Sequence, residues 1–485
     1  MVTRARALEY TVRIPVVAKY LGQLCIAVAI LSLAPLAVSL IFAEFEQSLR
    51  YLPVIIFLVA FGFATRRINP PEQIQVNEVL VIIALTFILI PLLMTIVLTN
   101  AGIGFVDAYF EAVSGVTTTG LSCLATVEDK PYTFLFARAW MQWYGGLGIV
   151  AFSLALFIQP GRSAKELAVA EIEEGDLIGG TRAHTRRIIR IYATLTAIGV
   201  LLLLVTGTGF FDSLLYTFAG VSTGGFAPYD NSLAGLGFWP RQIAVTLSFI
   251  SGAVPLTIYS GLFRRGGGYQ TENLEMIWLL ILCVVFSAAT FALMTSSGYA
   301  PRKALLDAPV LAFSAQTTAG FSGLDVPALG NGVKALMLLP MLIGGGIAST
   351  AGGFKIIRLM VAMKIIFSVI KKSSLARHAV YRPHLLGRDL DHSLISDVLQ
   401  IIFLYFVIST LSWLAFVFYG YDPLDSLFEV VSAVGTVGLS AGVTGPGLPD
   451  VLKGVLIADM IMGRLEIVAI LVLLSPGTWF GRRHS

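Results

Sequence analysis

Four segments of this chain share one plan. Asp107–Ser122, Asp212–Ala227, Asp307–Ser322 and Asp425–Ser440 each run from an Asp through a short apolar stretch to a Gly 13 residues on. The pairs are Asp107 and Gly120, Asp212 and Gly225, Asp307 and Gly320, Asp425 and Gly438. An internal repeat constrains a fold more than local propensity does, because each copy is one structural unit that must pack against the others. Four such segments predict one chain folded around one pseudo-fourfold axis.

Composition fixes the solvent. The 485 residues are 56% hydrophobic and only 13% charged, with a mean hydropathy of +0.83, whereas soluble domains carry about 25% charged residues. The chain reads as a polytopic membrane protein. A net charge of +4 gives no reason to expect nucleic acid as a partner. Cys25, Cys123 and Cys283 lie in or beside apolar segments without paired spacing, so neither disulfides nor a metal site is predicted. The first apolar run, Leu21–Phe42, is long enough to span and has no signal-peptide cleavage pattern.

Two spans come first, Leu21–Phe42 and Tyr51–Ala64, closed by Arg66, Arg67 and the break at Asn69-Pro70-Pro71. A unit of long helix, half helix and long helix then recurs. Its first copy uses Val76–Leu98 and Tyr132–Ile158 around the 107–122 segment. The later copies use Arg190–Thr206 with Phe238–Phe263, Leu274–Met294 with Gly332–Ile370, and Leu394–Phe418 with Val451–Leu474. The predicted architecture is all-α: two N-terminal transmembrane helices and four helix–pore loop–helix repeats around one pore. The divisions are 1–71, 72–160, 161–264, 265–372 and 373–485. A half helix of about ten residues is roughly 15 Å long and cannot cross a ~30 Å hydrocarbon core. Non-helical backbone at that depth is tolerated only where protein buries it or where it lines a watery cavity.

The filter positions are Val116-Thr117-Thr118-Thr119-Gly120, Val221-Ser222-Thr223-Gly224-Gly225, Gln316-Thr317-Thr318-Ala319-Gly320 and Val434-Gly435-Thr436-Val437-Gly438. The fourth contains Thr-Val-Gly, the core of the potassium-channel filter, in which backbone carbonyls replace an ion's hydration shell. The final Gly is taken as the shared position, one where φ > 0 or a close backbone approach is needed. Four helix C-caps followed by turns would explain the Gly but not the preceding Thr and Ser. Each repeat Asp is read as the N-cap of its half helix, compatible with attraction of cations outside. The C-terminal ends of the half helices, carrying partial negative charge, aim at the bilayer centre and favour a desolvated cation.

Lys and Arg set the orientation. Arg66-Arg67, Arg162–Arg190, Arg264-Arg265, Lys371–Arg388 and Arg482-Arg483 fall on one side if ten full spans alternate. That side is cytoplasmic and holds both termini. An acidic patch in Gly161–Arg190 (Glu166, Glu171, Glu173, Glu174, Asp176) reads as a solvated helix and turn, with a docking surface as the alternative.

Gly344-Gly345-Gly346-Ile347-Ala348-Ser349-Thr350-Ala351-Gly352-Gly353-Phe354-Lys355 interrupts the third inner helix. It lacks phosphate-loop spacing. Its glycines melt the helix locally, unless they serve a kink for close helix packing. Gly145, Gly345 and Gly463 lie 25 residues after their filter Gly, and Gly252 lies 27 after. The next positions are Gly146, Ala253, Gly346 and Arg464. A charge inside a membrane helix is costly and marks function, so Arg464 is expected to face the pore, with a structural ion pair as the alternative. Glu466, two residues on, does not share its face.

Taken together, these motifs resemble the Trk/Ktr/HKT superfamily of potassium uptake proteins, most closely its TrkH/TrkG branch, over nearly the whole chain. The resemblance implies potassium selectivity and a homodimer with one pore per protomer. It implies a bacterial inner membrane location and cytosolic regulatory subunits of the TrkA type. Nucleotide would then bind the partner, leaving potassium in the pore and no covalent cofactor on this chain. It implies that the loop bearing Gly344, Gly345, Gly346, Ser349, Thr350, Gly352, Gly353 and Lys355 blocks the pore beneath the filter, with Arg464 beside it. In plant relatives a Ser at the first filter Gly goes with sodium transport; here that residue is Gly120. Gln316 and Ala319 depart from the other filters. An intramembrane enzyme is disfavoured, because His184, His378, His384, His392 and His484 all fall in cytoplasmic segments or at a helix edge. The main rival is a proton- or sodium-coupled secondary transporter.

Overall fold

The computed structural model describes residues 11–69, 74–157, 177–261, 270–374, 383–385 and 388–480. At the N-terminus, Ile14–Leu31 continued by Leu33–Ile41 packs beside Phe45–Thr65. Glu44, in the link between them, accepts hydrogen bonds from the backbone N–H groups of Tyr132 and Thr133 at 2.8 and 2.9 Å. The N-terminal pair therefore caps the first inner helix, whose opening amides have no partner within their own helix.

The four units follow in order. The first is Val76–Leu98, the half helix Phe105–Val116, and Tyr132–Phe157. The second is Leu177–Val205, Phe210–Val221, and an inner helix in two pieces, Trp239–Ala253 and Leu256–Gly261. The third is Gln270–Ser296, Pro301–Gln316, and the pieces Asn331–Ile343 and Ile356–Ser373. The fourth is His392–Phe418, Pro423–Val434, and the pieces Asp450–Arg464 and Val468–Leu474. A two-residue hairpin, His384–Leu385 with Arg388–Asp389, precedes the fourth unit. Among the described residues, six helical segments are long and apolar enough to cross a membrane. Bulky apolar side chains such as Ile41, Ile56, Leu201, Phe403 and Phe406 point outward, as lipid-facing residues do. The first, second and fourth half helices are buried along most of their length, and the third mainly towards its C-terminal end.

Three inner helices break, where the sequence predicts only the third to do so. In the second, Pro255 supplies no N–H and forces Val254 into an extended conformation (ψ 140°). In the fourth, Glu466 and Ile467 adopt φ of 53° and 67°. Ile467 N–H there reaches back five residues to the Met462 carbonyl at 2.7 Å, a locally widened turn. In the third, Phe354 and Lys355 N–H groups donate to the Leu342 and Ile343 carbonyls, both at 2.9 Å. Those acceptors lie twelve residues back, where a continuous helix would use four. The glycine-rich stretch is thus an eight-residue excursion from a helix whose hydrogen-bond ladder resumes across its base. The acidic stretch Glu166–Asp176 lies outside the described residues.

Candidate ion pathway

The repeat Asp residues are not N-caps. Their helices begin earlier, at Phe105, Phe210, Pro301 and Pro423, with Gly104, Gly209, Ala300 and Asp422 at the cap positions. Only Asp422 caps through its side chain, accepting from Leu424 N and Asp425 N at 2.9 and 3.0 Å. The repeat Asp lies inside the helix and bonds across to other elements. Asp107 accepts from Lys453 of the fourth inner helix at 2.5 Å, and Asp425 from Lys334 of the third at 2.8 Å. Asp212 and Asp307 accept from the hydroxyls of Tyr229 and Tyr299 at 2.9 and 3.0 Å. Burial, then the bond to Asp212, push the Tyr229 phenol up to about 12, so it stays a donor at ordinary pH.

Behind two filters stand fully buried glutamates that the repeat search missed. Glu111 accepts from Ser122 Oγ (2.6 Å), Cys123 N (3.0 Å) and Arg138 Nε (2.9 Å). Glu429 accepts from Ser440 Oγ (2.5 Å), Val443 N (3.1 Å) and Thr444 Oγ1 (2.7 Å). Each ties the strand leaving the filter back to its half helix. The Arg138 guanidinium also lies 3.8 Å from the Phe226 ring centroid, so it joins the first filter to the second. Arg138→Ala strands the Glu111 carboxylate in a buried site, and is expected to destabilise the protein by about 3 kcal/mol. The check is thermal unfolding of the detergent-purified variant; an unchanged Tm would show that the pair holds nothing in place.

The four filter quintets come together and share one backbone path. Thr118, Thr223, Thr318 and Thr436 all take positive φ (55°, 52°, 54° and 49°), and so do Gly120, Gly225, Gly320 and Gly438 (89°, 84°, 70° and 92°). The Thr two residues before the Gly is therefore as invariant as the Gly itself. It was plain in the sequence once the quintets are aligned. The four Gly residues close a ring. A Cβ on Gly120 would lie 2.1 Å from the Gly224 carbonyl oxygen, and one on Gly225 2.6 Å from that of Ala319. One on Gly320 would lie 2.2 Å from the Val437 oxygen, and one on Gly438 2.1 Å from that of Thr119. First touches second, second third, third fourth, and fourth first. Among the described residues, the carbonyls of these four Thr and four Gly accept no hydrogen bond. The side-chain hydroxyls of Thr118 and Thr436 likewise have no partner there. The four Thr are fully buried, and buried backbone carbonyls are nearly always paired, so their level of the ring is poised for something that is not protein.

One level below, the inner helices press on the filter bases. A Cβ on Gly145, Gly252 or Gly463 would lie 2.1, 2.1 or 1.9 Å from the carbonyl oxygen of Val116, Val221 or Val434. Gly345, aligned with them by spacing, does not make this contact. There the helix has already broken, and Gln316 replaces Val and donates through Nε2 to the Gly344 carbonyl at 2.6 Å.

The glycine-rich excursion docks directly beneath the filter. Gly352 N–H donates to Thr318 Oγ1 at 2.7 Å, and Gly353 N–H to the Gly435 carbonyl at 3.1 Å. Thr350 Oγ1 donates to the Val221 carbonyl at 3.0 Å and sits 3.3 Å from Thr223 Oγ1. Ser349 Oγ bonds the Gly346 carbonyl at 2.6 Å, and Ile347 N–H reaches the Glu275 carboxylate at 3.2 Å. Lys355 Nζ donates to the Ala351 carbonyl. Arg464 Nη1 donates to the Thr350 carbonyl at 2.8 Å, while its Nε and Nη2 have no partner among the described residues. Glu466 pairs with Arg358 at 2.5 Å, so Arg464 and Glu466 face different partners, as their spacing predicts.

Four half helices, closed into one ring inside a bundle of apolar helices, define an all-α polytopic membrane protein. The TrkH family profile, described as cation transport protein, matches residues 49–267 and 273–478, and the chain belongs to that family. It is 31% identical to an uncharacterized cation transporter of Methanocaldococcus jannaschii, covering 94% of each chain. It is 28% identical to the Trk system potassium uptake protein TrkH of Escherichia coli K12, covering 77% of this chain and 79% of that one. Its fold matches the crystal structure of the potassium transporter TrkH from Vibrio parahaemolyticus with a TM-score of 0.85. The sequence identity is 23%, and the match covers 96% of this chain and 100% of that one.

Proposed function

We propose that this protein carries potassium into the cell across the inner membrane, through a channel-like pore selected at the carbonyl ring and gated just below it. The single observation that carries this reading is the ring of unpartnered, left-handed Thr and Gly carbonyls, closed in sequence from the first repeat back to itself. A desolvated cation is the ligand for such a ring, and the half-helix C-termini add partial negative charge around it. Relatives named as potassium uptake proteins support potassium as that cation. The excursion Gly344–Gly353 is the gate. It holds ligands of the lowest ion position, Thr318 Oγ1 and the Gly435 carbonyl, for its own N–H groups. Arg464 both anchors it at Thr350 and repels a cation from below.

The regulator is a cytosolic nucleotide-binding ring of the TrkA type on a homodimer of this chain. It pulls on the cytoplasmic half of the third inner helix, Ile356–Ser373, which leads directly out of the gate. The lysines and arginines of the short loops support a cytoplasmic location for both termini. Reconstitution in vesicles with independently varied potassium, sodium and proton gradients tests the reading. Potassium flux down its own gradient, without an obligatory second ion, is expected. Flux that stops when the proton or sodium gradient is removed would replace this reading with a coupled transporter.

A further inference from the structure

We infer that Pro255, in the second inner helix, is a positioning residue of the gate that sets how tightly the glycine-rich excursion of the third repeat stays closed. The inference rests on the reading of that excursion as the gate. Its basis is an accounting of backbone partners. An unbroken helix would satisfy the carbonyls of Ser251 and Gly252 with the N–H groups of residues 255 and 256, and that of Ala253 from residue 257. Pro255 has no N–H and breaks the ladder. The Ser251 carbonyl is satisfied within its own repeat, by the Tyr259 hydroxyl at 2.9 Å. The other groups are satisfied by the excursion. Thr350 N–H donates to the Gly252 carbonyl at 3.1 Å, Gly346 N–H to the Ala253 carbonyl at 3.3 Å, and Leu256 N–H to the Ala348 carbonyl at 3.1 Å. Thr350 Oγ1 also lies 2.9 Å from the Gly252 carbonyl, which shares the one hydroxyl proton with the Val221 carbonyl.

Two broken helices in different repeats thus complete each other. When the excursion leaves, the groups at the break lose their partners in a buried site, and Pro255 prevents the helix from healing to recover them. That penalty favours closure. Replacing Pro255 removes it, because the open state can then form a continuous helix from Trp239 to Gly261.

The test uses the full chain in potassium-loaded vesicles without any cytosolic partner. Pro255→Ala is expected to raise unstimulated flux about tenfold with potassium-to-sodium preference unchanged. Pro255→Gly should raise it about fivefold less than Ala does, because glycine forms helix poorly. Loss of packing would give the opposite order, since Pro255 lies buried against Gly346 and glycine removes more contact than alanine. In a chain already lacking the excursion, neither substitution should change flux, as expected for residues acting through one element. Flux at the parental level in Pro255→Ala, or a larger rise in Pro255→Gly than in Pro255→Ala, overturns the inference. So does an undiminished effect in the chain lacking the excursion. If excision of the excursion itself leaves flux unchanged, the gate assignment fails separately. Should Pro255→Ala not fold, Thr350→Val, which loses the hydroxyl bond to the same carbonyl, is expected to raise flux, and parental flux there overturns the inference.

Discussion

Excising Gly345–Gly352 is expected to raise potassium flux through the reconstituted chain by at least about a hundredfold, a barrier change of roughly 3 kcal/mol. The size follows from what the segment does. On the proposed function it closes the path sterically, and its N–H groups bond Thr318 Oγ1 and the Gly435 carbonyl. Within its own helix the deletion is clean, although the break at Pro255 loses its partners. The ladder already bridges the base of the excursion, from Phe354 to Leu342 and from Lys355 to Ile343, so removing eight residues leaves those bonds in the ordinary spacing of four. The product should be a continuous third inner helix like the first, Tyr132–Phe157. Arg464→Ala should act in the same direction and more weakly. It frees the Thr350 carbonyl and removes a charge which, about 6 Å from a passing cation, costs roughly 3 kcal/mol at an effective dielectric of ~20. The excursion itself would still obstruct the path. Tracer efflux from vesicles reads both variants. Parental flux in each, with intact folding, would put the gate elsewhere.

Gly120→Ser should lower the preference for potassium over sodium by at least about tenfold, the equivalent of ~1.4 kcal/mol. Two causes add. The residue sits at φ +89°, where any side chain costs about 1–2 kcal/mol. Its Cβ would fall 2.1 Å from the Gly224 oxygen, 3.2 Å from the Gly224 carbonyl carbon and 3.3 Å from Gly225 Cα. All three are backbone atoms of the neighbouring filter, so relief requires moving the ring itself. Gly445→Ser is the matched control, because a Cβ there meets nothing within 4 Å. Reversal potentials or competitive tracer uptake give the ratio. An unchanged preference in Gly120→Ser would remove the carbonyl ring from the account of selectivity.

Much of this was legible in the residues, and the failures have physical causes. The fixed Asp-to-Gly spacing located all four half helices, and the span Val76–Leu98 is found as read. The Asp itself misled. A cap is a matter of which residue stands half outside the helix, and here the chain turns helical at Phe105 and Phe210, ahead of the Asp. The break at Pro255 was visible as a proline but passed over inside a long apolar run. The break at Leu465–Ile467 carries neither Gly nor Pro, and a β-branched residue at φ 67° has no sequence signal. Tertiary contacts hold it there, including the Arg358 pair at Glu466. The glutamates behind the first and fourth filters recur four residues after the Asp, but Tyr216 and Leu311 stand in the other two repeats. A search for fourfold identity could not find them. The eight-residue length of the glycine-rich excursion is a property of backbone bonding and leaves no trace in side-chain pattern.

The fourth-to-first closure has a consequence for how the protein is made. Gly438 meets Thr119, and Lys453 reaches Asp107 across 346 residues of chain. Contacts so far apart in sequence form late and slowly. During synthesis the first and third filters each wait with one flank open until the last repeat leaves the ribosome and enters the bilayer. A nascent chain therefore holds no closed ring at any stage before the end. A truncation anywhere ahead of Gly438 leaves the ring of four glycines open between the third repeat and the first.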